Sequence, residues 1–286
     1  MNIRQVRTKI KSIGNVKKIT KAMQLVSSVK MRKAQQQALE GRPYRETLEE
    51  IIGRILPKVD ARRLRLLQEQ QISKKKSLGG GKELVILISS NKGLAGAFNI
   101  NLFRTILKDS NFEKIEFVTM GKKGTEFVSR MGKKIIADYT AGESLSEISA
   151  IFSFVLKKFL DREYVTVSVI FNRFISTLRS ETVKEKLLPV EVGTKEKQQK
   201  AGEYLVEPTG EAIIESLLSN FVEEKIRGAF LNSEAAEHSA RMIAMKNATD
   251  NANDVIYNLT LLRNKLRQQK ITYELLDMIT AKESVG

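Results

Sequence analysis

The sequence predicts an α+α/β protein in which an N-terminal and a C-terminal helix pair as an antiparallel coiled coil around a central Rossmann-like α/β domain. Three observations carry this. Apolar residues recur at alternating three- and four-residue spacing near the start of the chain. The same spacing recurs, for longer, near its end. Between the two lies a stretch that alternates β-like and helical segments, the pattern of a sheet with helices on its faces.

The first block covers residues 1–58. Ile3, Val6, Ile10 and Ile13 form a coiled-coil seam, and Val16, Ile19, Met23 and Val26 continue an apolar stripe after a slip in spacing at Gly14-Asn15. Pro43 is expected to kink the helix or split it after Gly41, because a proline lacks the N–H that a helix interior needs. No acidic residue precedes Glu40, whereas Arg4, Arg7, Lys9, Lys11, Lys17, Lys18, Lys21, Lys30, Arg32 and Lys33 all do, so the faces away from the seam are cationic. Residues 59–82 are basic and end near three glycines, and read as a mobile linker with a short helix around 62–70.

The second block, 83–206, carries four expected strands, Glu83–Ser89, Lys114–Met120, Lys134–Tyr139 and Tyr164–Phe171. Helices are expected at Ile100–Lys108, Lys123–Met131 and Leu145–Leu160. This alternation predicts a small parallel sheet, and the polar run 193–203 reads as a surface loop. The third block, 209–286, has Met245, Ala248, Ala252, Val255, Leu259, Leu262, Leu266, Gln269, Tyr273 and Leu276 at three-four spacing with no proline after Pro208. At 1.5 Å per residue such a helix could reach about 100 Å, far beyond a globular domain of this size, and so should project. Near its end Ile271, Leu275, Leu276, Met278 and Ile279 cover more than one face, which calls for enclosure by something outside the chain.

Composition narrows the chemistry. A formal net charge of +16 points to an acidic partner, whether nucleic acid, anionic membrane or protein. There is no cysteine and one histidine, His238, which excludes disulfides, thiolate metal sites and multi-histidine clusters. His238 itself reads as an ordinary surface residue. The longest apolar runs, such as 84–88, are too short to span a bilayer. The N-terminus lacks a secretory signal, and a helical pattern starting at Ile3 leaves no room for a removable leader, so a protein of a reducing cytoplasm is expected.

No catalytic constellation stands out, and no cofactor or metal is expected. Gly79-Gly80-Gly81-Lys82 precedes a strand rather than following one, the wrong context for a phosphate loop. The turn from Ser89 to Gly96 sits between strand and helix but lacks nucleotide-binding spacing. Gly121-Lys122-Lys123-Gly124 has the form of a single-strand RNA-binding loop, though a tight strand-to-helix turn explains it equally. Glu223-Glu224 and Asp250/Asp254 read as solvated or interhelical charges.

The run from Ile3 to Gln35, with Lys18-Ile19-Thr20-Lys21-Ala22-Met23 and Lys30-Met31-Arg32-Lys33, resembles the opening helix of the gamma subunits of F-type ATP synthases. Arg42-Pro43-Tyr44 and the turn Lys92-Gly93-Leu94-Ala95-Gly96-Ala97-Phe98-Asn99 are similar to the same family. So is the run Ser239–Ala252, followed by Asn264-Lys265, Arg267-Gln268, Ile271-Thr272 and Glu274-Leu275. The resemblance implies a non-catalytic rotor: a shaft inside a ring of three alpha and three beta subunits, with a foot meeting the epsilon subunit and the ring of c subunits. Proton flow through the membrane sector would turn it and so drive ATP synthesis at the beta subunits. It implies a peripheral position on the cytoplasmic face of the bacterial plasma membrane. Lys21, Met23, Arg241, Arg267, Gln268, Thr272 and Glu274 would be shaft–stator contacts. Three features depart from the family: charged residues among 280–286, a longer and more basic 60–82 segment, and the absence of the cysteine insert of the chloroplast form. A basic coiled-coil protein that binds nucleic acid is the alternative, weakened by the lack of aromatic residues among the basic ones before Tyr44.

Overall fold

The computed structural model describes residues 2–59, 64–67, 81–110, 112–139, 146–191 and 209–285. Two compact units make up the chain, one from Met1–Ser28 with Arg241–Gly286 and the other from Val29–Ala240.

The second unit holds a five-stranded sheet. Its strands are β1 (Glu83–Ile88), β2 (Ile115–Met120), β3 (Ile135–Asp138), β4 (Thr166–Ser176) and β5 (Arg179–Leu188), in the order β3-β2-β1-β4-β5. The first four are parallel in register, with Val85 level with both Phe117 and Ser168. β1 and β2 are buried almost end to end, as central strands covered on both faces must be, which is why they read as unbroken apolar runs. The sheet is mixed rather than wholly parallel, because β5 pairs antiparallel with β4. The sequence reading lacks β5, whose polar run Arg-Ser-Glu-Thr-Val-Lys-Glu-Lys suits an edge strand with one solvated face and carries no apolar signal.

Helices α3 (Phe98–Leu107), α4 (Lys122–Arg130) and α5 (Ser146–Leu160) connect the strands. α3 and α4 close one apolar core with Val85, Leu87, Phe117 and Ile170, and the Phe103 and Phe127 rings stack at 4.1 Å. α5 belongs to the larger core, which also takes Leu48, Ile52 and Ile55 of α2 (Arg42–Ile55) and Ile214, Leu218, Val222 and Ile226 of α6 (Gly210–Val285). α1 spans Ile3–Glu40, so the chain breaks at Gly41 with Pro43 in the first turn of α2, where a missing N–H costs nothing. Within 59–82, expected to be a mobile connection, residues 64–67 form a turn whose Leu64 and Leu66 are buried in the larger core. Val190 N–H donates to the Leu66 carbonyl at 2.8 Å. Most of the helix expected at 62–70, and the loop expected at 193–203, lie outside the described residues.

At the amino ends of the strands Glu116 gathers donors from three elements. Lys82 Nζ lies 2.7 Å from Oε1, Lys134 Nζ 3.5 Å from Oε2, and the Tyr164 hydroxyl donates to Oε2 at 2.5 Å. Burial alone would raise the Glu116 pKa. The hydrogen bonds from Lys82 and Tyr164, with the charges of Lys82 and Lys134, outweigh it and leave the carboxyl below its ordinary range. Tyr164 is pushed up, by burial first and then by its bond to Glu116.

Candidate functional site

The first unit is a pair of helices, the first part of α1 and the last part of α6. They meet in a buried contact between the hydroxyls of Thr20 and Thr249, 2.8 Å apart. With antiparallel helices, this places Lys17 level with Ala252, Ile13 with Ile256, Ile10 with Leu259, Val6 with Arg263 and Ile3 with Leu266. Burial follows that register. Val6, Thr20 and Ser27 are buried and Ile3, Ile10, Ile13, Lys17 and Gln24 half-buried on α1. On α6 Met245, Thr249 and Ala252 are buried and Ile256, Leu259, Arg263 and Leu266 half-buried.

Two corrections follow. On α1 the three-four spacing runs through Gly14-Asn15 without a slip. The seam continues through Lys17, Thr20, Gln24 and Ser27, while Val16, Ile19 and Val26 stand 49%, 59% and 56% exposed. On α6 the seam shares Met245, Ala252, Leu259 and Leu266 with the expected one, but Thr249, Ile256 and Arg263 take the positions between them. Val255 and Leu262 are 43% and 37% exposed. The cause is the same on both helices. Polar or small residues occupy consecutive seam positions, Lys17, Thr20, Gln24 and Ser27 on α1 and Thr249 and Ala252 on α6, so a search for apolar spacing drifts onto the neighbouring residues. On α1 the missed Lys17, Thr20, Gln24 and Ser27 become visible once the heptad frame of Ile3–Ile13 is carried forward unbroken, whereas Thr249, Ile256 and Arg263 on α6 emerge only from the pairing.

From Arg267 to Ala281 every α6 residue is exposed. Tyr273 and Leu276, expected in the seam, are 67% and 49% exposed, and Ile271, Leu275, Met278 and Ile279 stand between 48% and 62%. Of the expected contact residues, Lys21, Arg267, Gln268, Thr272 and Glu274 are exposed and Met23 is half-buried. Lys21 Nζ donates to Gln24 Oε1 at 3.2 Å, and Glu274 pairs with Lys270 at 3.3 Å. Arg241 is 7% exposed, which leaves little of it for a partner. His238 is a surface residue by expectation but only 8% exposed, with its Nε2 3.6 Å from Glu234. Glu223 accepts from the Ser149 hydroxyl at 2.6 Å, and Glu224 pairs with Arg227 at 2.8 Å, so both acids serve packing.

In an open α/β sheet, ligands settle outside the carboxyl ends of the strands, where strand order reverses. Here the carboxyl ends of β1, β2 and β4 are filled by the chain itself. The Ser90 carbonyl and the Asn91 side chain accept from the backbone N–H groups of Lys123 and Lys122 at the start of α4, and Ser89 Oγ accepts from Gly124 N–H. A phosphate would need those same donors. Ala95 and Phe98 pack on Ala236, and Asn172 donates to the Phe98 carbonyl at 3.1 Å. Gly121-Lys122-Lys123-Gly124 is a turn of close packing rather than an open loop. A Cβ on Gly121 would lie 2.2 Å from the Ser89 carbonyl oxygen, and one on Gly124 would lie 2.7 Å from Ser89 Oγ.

The described residues thus present a long two-helix seam and an exposed apolar helix end. The model of the ATP synthase family matches residues 2–285. The ATP synthase gamma chain of Akkermansia muciniphila is 36% identical over 293 residues, covering 98% of each chain. That of Methylacidiphilum infernorum is 37% identical, covering 99% of each. The chain belongs to the ATP synthase gamma-chain family. Its fold is similar to that of chains in solved ATP synthases. A chain of the Euglena gracilis mitochondrial ATP synthase, in a structure of OSCP, F1 and c-ring, superposes with a TM-score of 0.67 at 18% identity over 99% of this chain and 94% of that one. A chain of the Tetrahymena thermophila central stalk and c-ring gives 0.57 at 23% identity, covering 80% of this chain and 99% of that one. Among the described residues no helix is long and apolar enough to cross a membrane.

Proposed function

We propose that this gamma-family chain is the central-stalk rotor of an F-type ATP synthase, turning within three alpha and three beta subunits. The observation that carries the reading is the end of α6, where six large apolar side chains between Ile271 and Ile279 are all at least 48% exposed. A helix apolar on several faces is stable in water only when something encloses it. The α/β body, near residues 83–206, is the foot that meets the epsilon subunit and the c ring. The helix segments of Met1–Ser28 and Arg241–Gly286 are the shaft, while α2, Leu64, Leu66 and the first part of α6, which pack in the sheet's core, belong with the foot. The chain makes and breaks no bonds. As it turns, each beta subunit meets a different face in sequence, and that order couples proton flow to ADP and phosphate binding, ATP formation and release.

Lys21, Met23, Arg267, Gln268, Thr272 and Glu274 are the proposed shaft–stator contacts. Lysines and arginines along the outer faces of α1 favour acidic stator loops, an attraction that steers assembly more than it adds affinity. The complex sits on the cytoplasmic face of the bacterial plasma membrane, with this chain peripheral to it. Tagged chain purified from its own cells in mild detergent should bring down two nucleotide-binding proteins at three copies each, with a membrane ring. Recovery of the chain alone, or with a nucleic acid, would oppose the reading.

A further inference from the structure

The middle of α1 presents two competing seams. Lys17, Thr20, Gln24 and Ser27 face α6, whereas one residue earlier in each case stand Val16, Ile19, Met23 and Val26, an apolar stripe with the same three-four spacing. Turning this part of α1 about its axis by one residue would bury that stripe against α6 and release four polar side chains to water. Apolar burial favours the turned arrangement, yet Val16, Ile19 and Val26 remain about half exposed. The apolar frame of Ile3, Val6, Ile10 and Ile13 on the same continuous helix opposes that turn, and a buried polar contact lies where the two seams compete.

We propose that the Thr20–Thr249 hydroxyl pair is the positioning element that fixes the rotation of α1 on α6 and keeps the Val16–Val26 stripe facing outward. The two hydroxyls lie 2.8 Å apart in a buried site. Thr20 Oγ1 is also 3.1 Å from the Lys17 carbonyl and Thr249 Oγ1 2.8 Å from the Met245 carbonyl. Two hydroxyl hydrogens serve three contacts, so one hydroxyl donates across the seam and the other to its own helix. In the turned arrangement Ile19 takes the place of Thr20, and the Thr249 hydroxyl faces a hydrocarbon. Losing one buried partner costs more than replacing both partners with apolar groups of the same shape. That asymmetry separates a hydrogen-bonded selector from a passive filler. If the chain is a rotor, the pair decides which face of the shaft the surrounding subunits touch, but the rotational claim itself does not rest on that reading.

The absence of native cysteine allows a direct test on the full-length chain. Two double-cysteine reporters are compared for oxidation rate, Lys17→Cys with Ala252→Cys for the observed seam and Val16→Cys with Ala252→Cys for the turned one. In the parent background the first should close and the second lag well behind. Adding Thr249→Val should raise the rate of the second by at least about fivefold, the scale of one lost buried hydrogen bond. Thr249→Ser should leave the parent pattern, and Thr20→Val combined with Thr249→Val, which removes the hydroxyl pair altogether, should behave like Thr249→Val alone. An unchanged reporter pattern in Thr249→Val would overturn the proposal, as would a double valine variant that keeps the parent pattern, or equal rates for both reporters in the parent.

Discussion

Replacing Ile256 with Asp should damage the coiled coil far more than replacing Val255 with Asp, although apolar spacing alone favours the opposite. Ile256 is half-buried level with Ile13, whereas Val255 is 43% exposed. Full burial of an isoleucine side chain is worth about 1.5–3 kcal/mol, and a half-buried one roughly half of that. An aspartate in the same place adds an unpaired charge against Ile13, costing about 1–3 kcal/mol more. The total for Ile256→Asp is about 2–4 kcal/mol. A surface change such as Val255→Asp stays within about 0.5 kcal/mol. Native-state hydrogen exchange reads the local stability directly. Amides between Met245 and Leu266 should exchange roughly 30- to 1000-fold faster in Ile256→Asp and nearly unchanged in Val255→Asp, with the β1 and β2 amides unaffected in both. Equal acceleration in the two variants, or a larger one in Val255→Asp, would refute the seam described above.

Three further outcomes follow from the α/β unit and the cationic helix. Gly121→Ala should destabilise that unit by several kcal/mol, because φ is +98° and the new Cβ would meet the Ser89 carbonyl oxygen at 2.2 Å; a melting temperature within a degree of the parent would contradict this. The Glu116 carboxyl, held below its ordinary range, contributes stability that is present above the unfolded-state pKa near 4.3 and lost as pH falls through the folded value. The melting-temperature gap between the parent and Glu116→Gln should therefore be constant from pH 7 to 5 and shrink below pH 4; a gap that widens in acid would oppose the assignment. Binding of the isolated chain to DNA or RNA should be independent of sequence and fade with salt, and sequence-selective binding at physiological salt would contradict the protein-partner reading.

The parts of the fold legible in sequence are those where burial is one-sided or complete. Glu83–Ile88 and Ile115–Met120 are buried almost throughout, and their apolar runs say so. The break at Gly41 follows from Pro43, whose chemistry is local. β5 was illegible because an edge strand needs no apolar signal, and the Glu116 cluster because its partners are 48, 34 and 18 residues away. The coiled coil was legible as a pairing but not in phase. Ile3, Val6, Ile10 and Ile13 set the frame correctly, yet the hydroxyls of Thr20 and Thr249 satisfy each other only in three dimensions, and until they are seen Val16 and Ile19 look like the better seam.

The claim that this chain moves as one body against its surroundings is tested most directly by two disulfides in the assembled ATPase. Ile13→Cys with Ile256→Cys joins two facing positions of the same shaft. Oxidation should leave steady-state turnover coupled and near that of the reduced complex, because no motion between those helices is required. Gln268→Cys, joined to a cysteine on the adjacent surrounding subunit, ties the exposed shaft to its housing. Turnover should stop on oxidation and return on reduction. Full multi-turnover activity with the second bond quantitatively formed would contradict rotation of this chain, and loss of activity from the first bond alone would replace a rigid shaft with a hinge inside it.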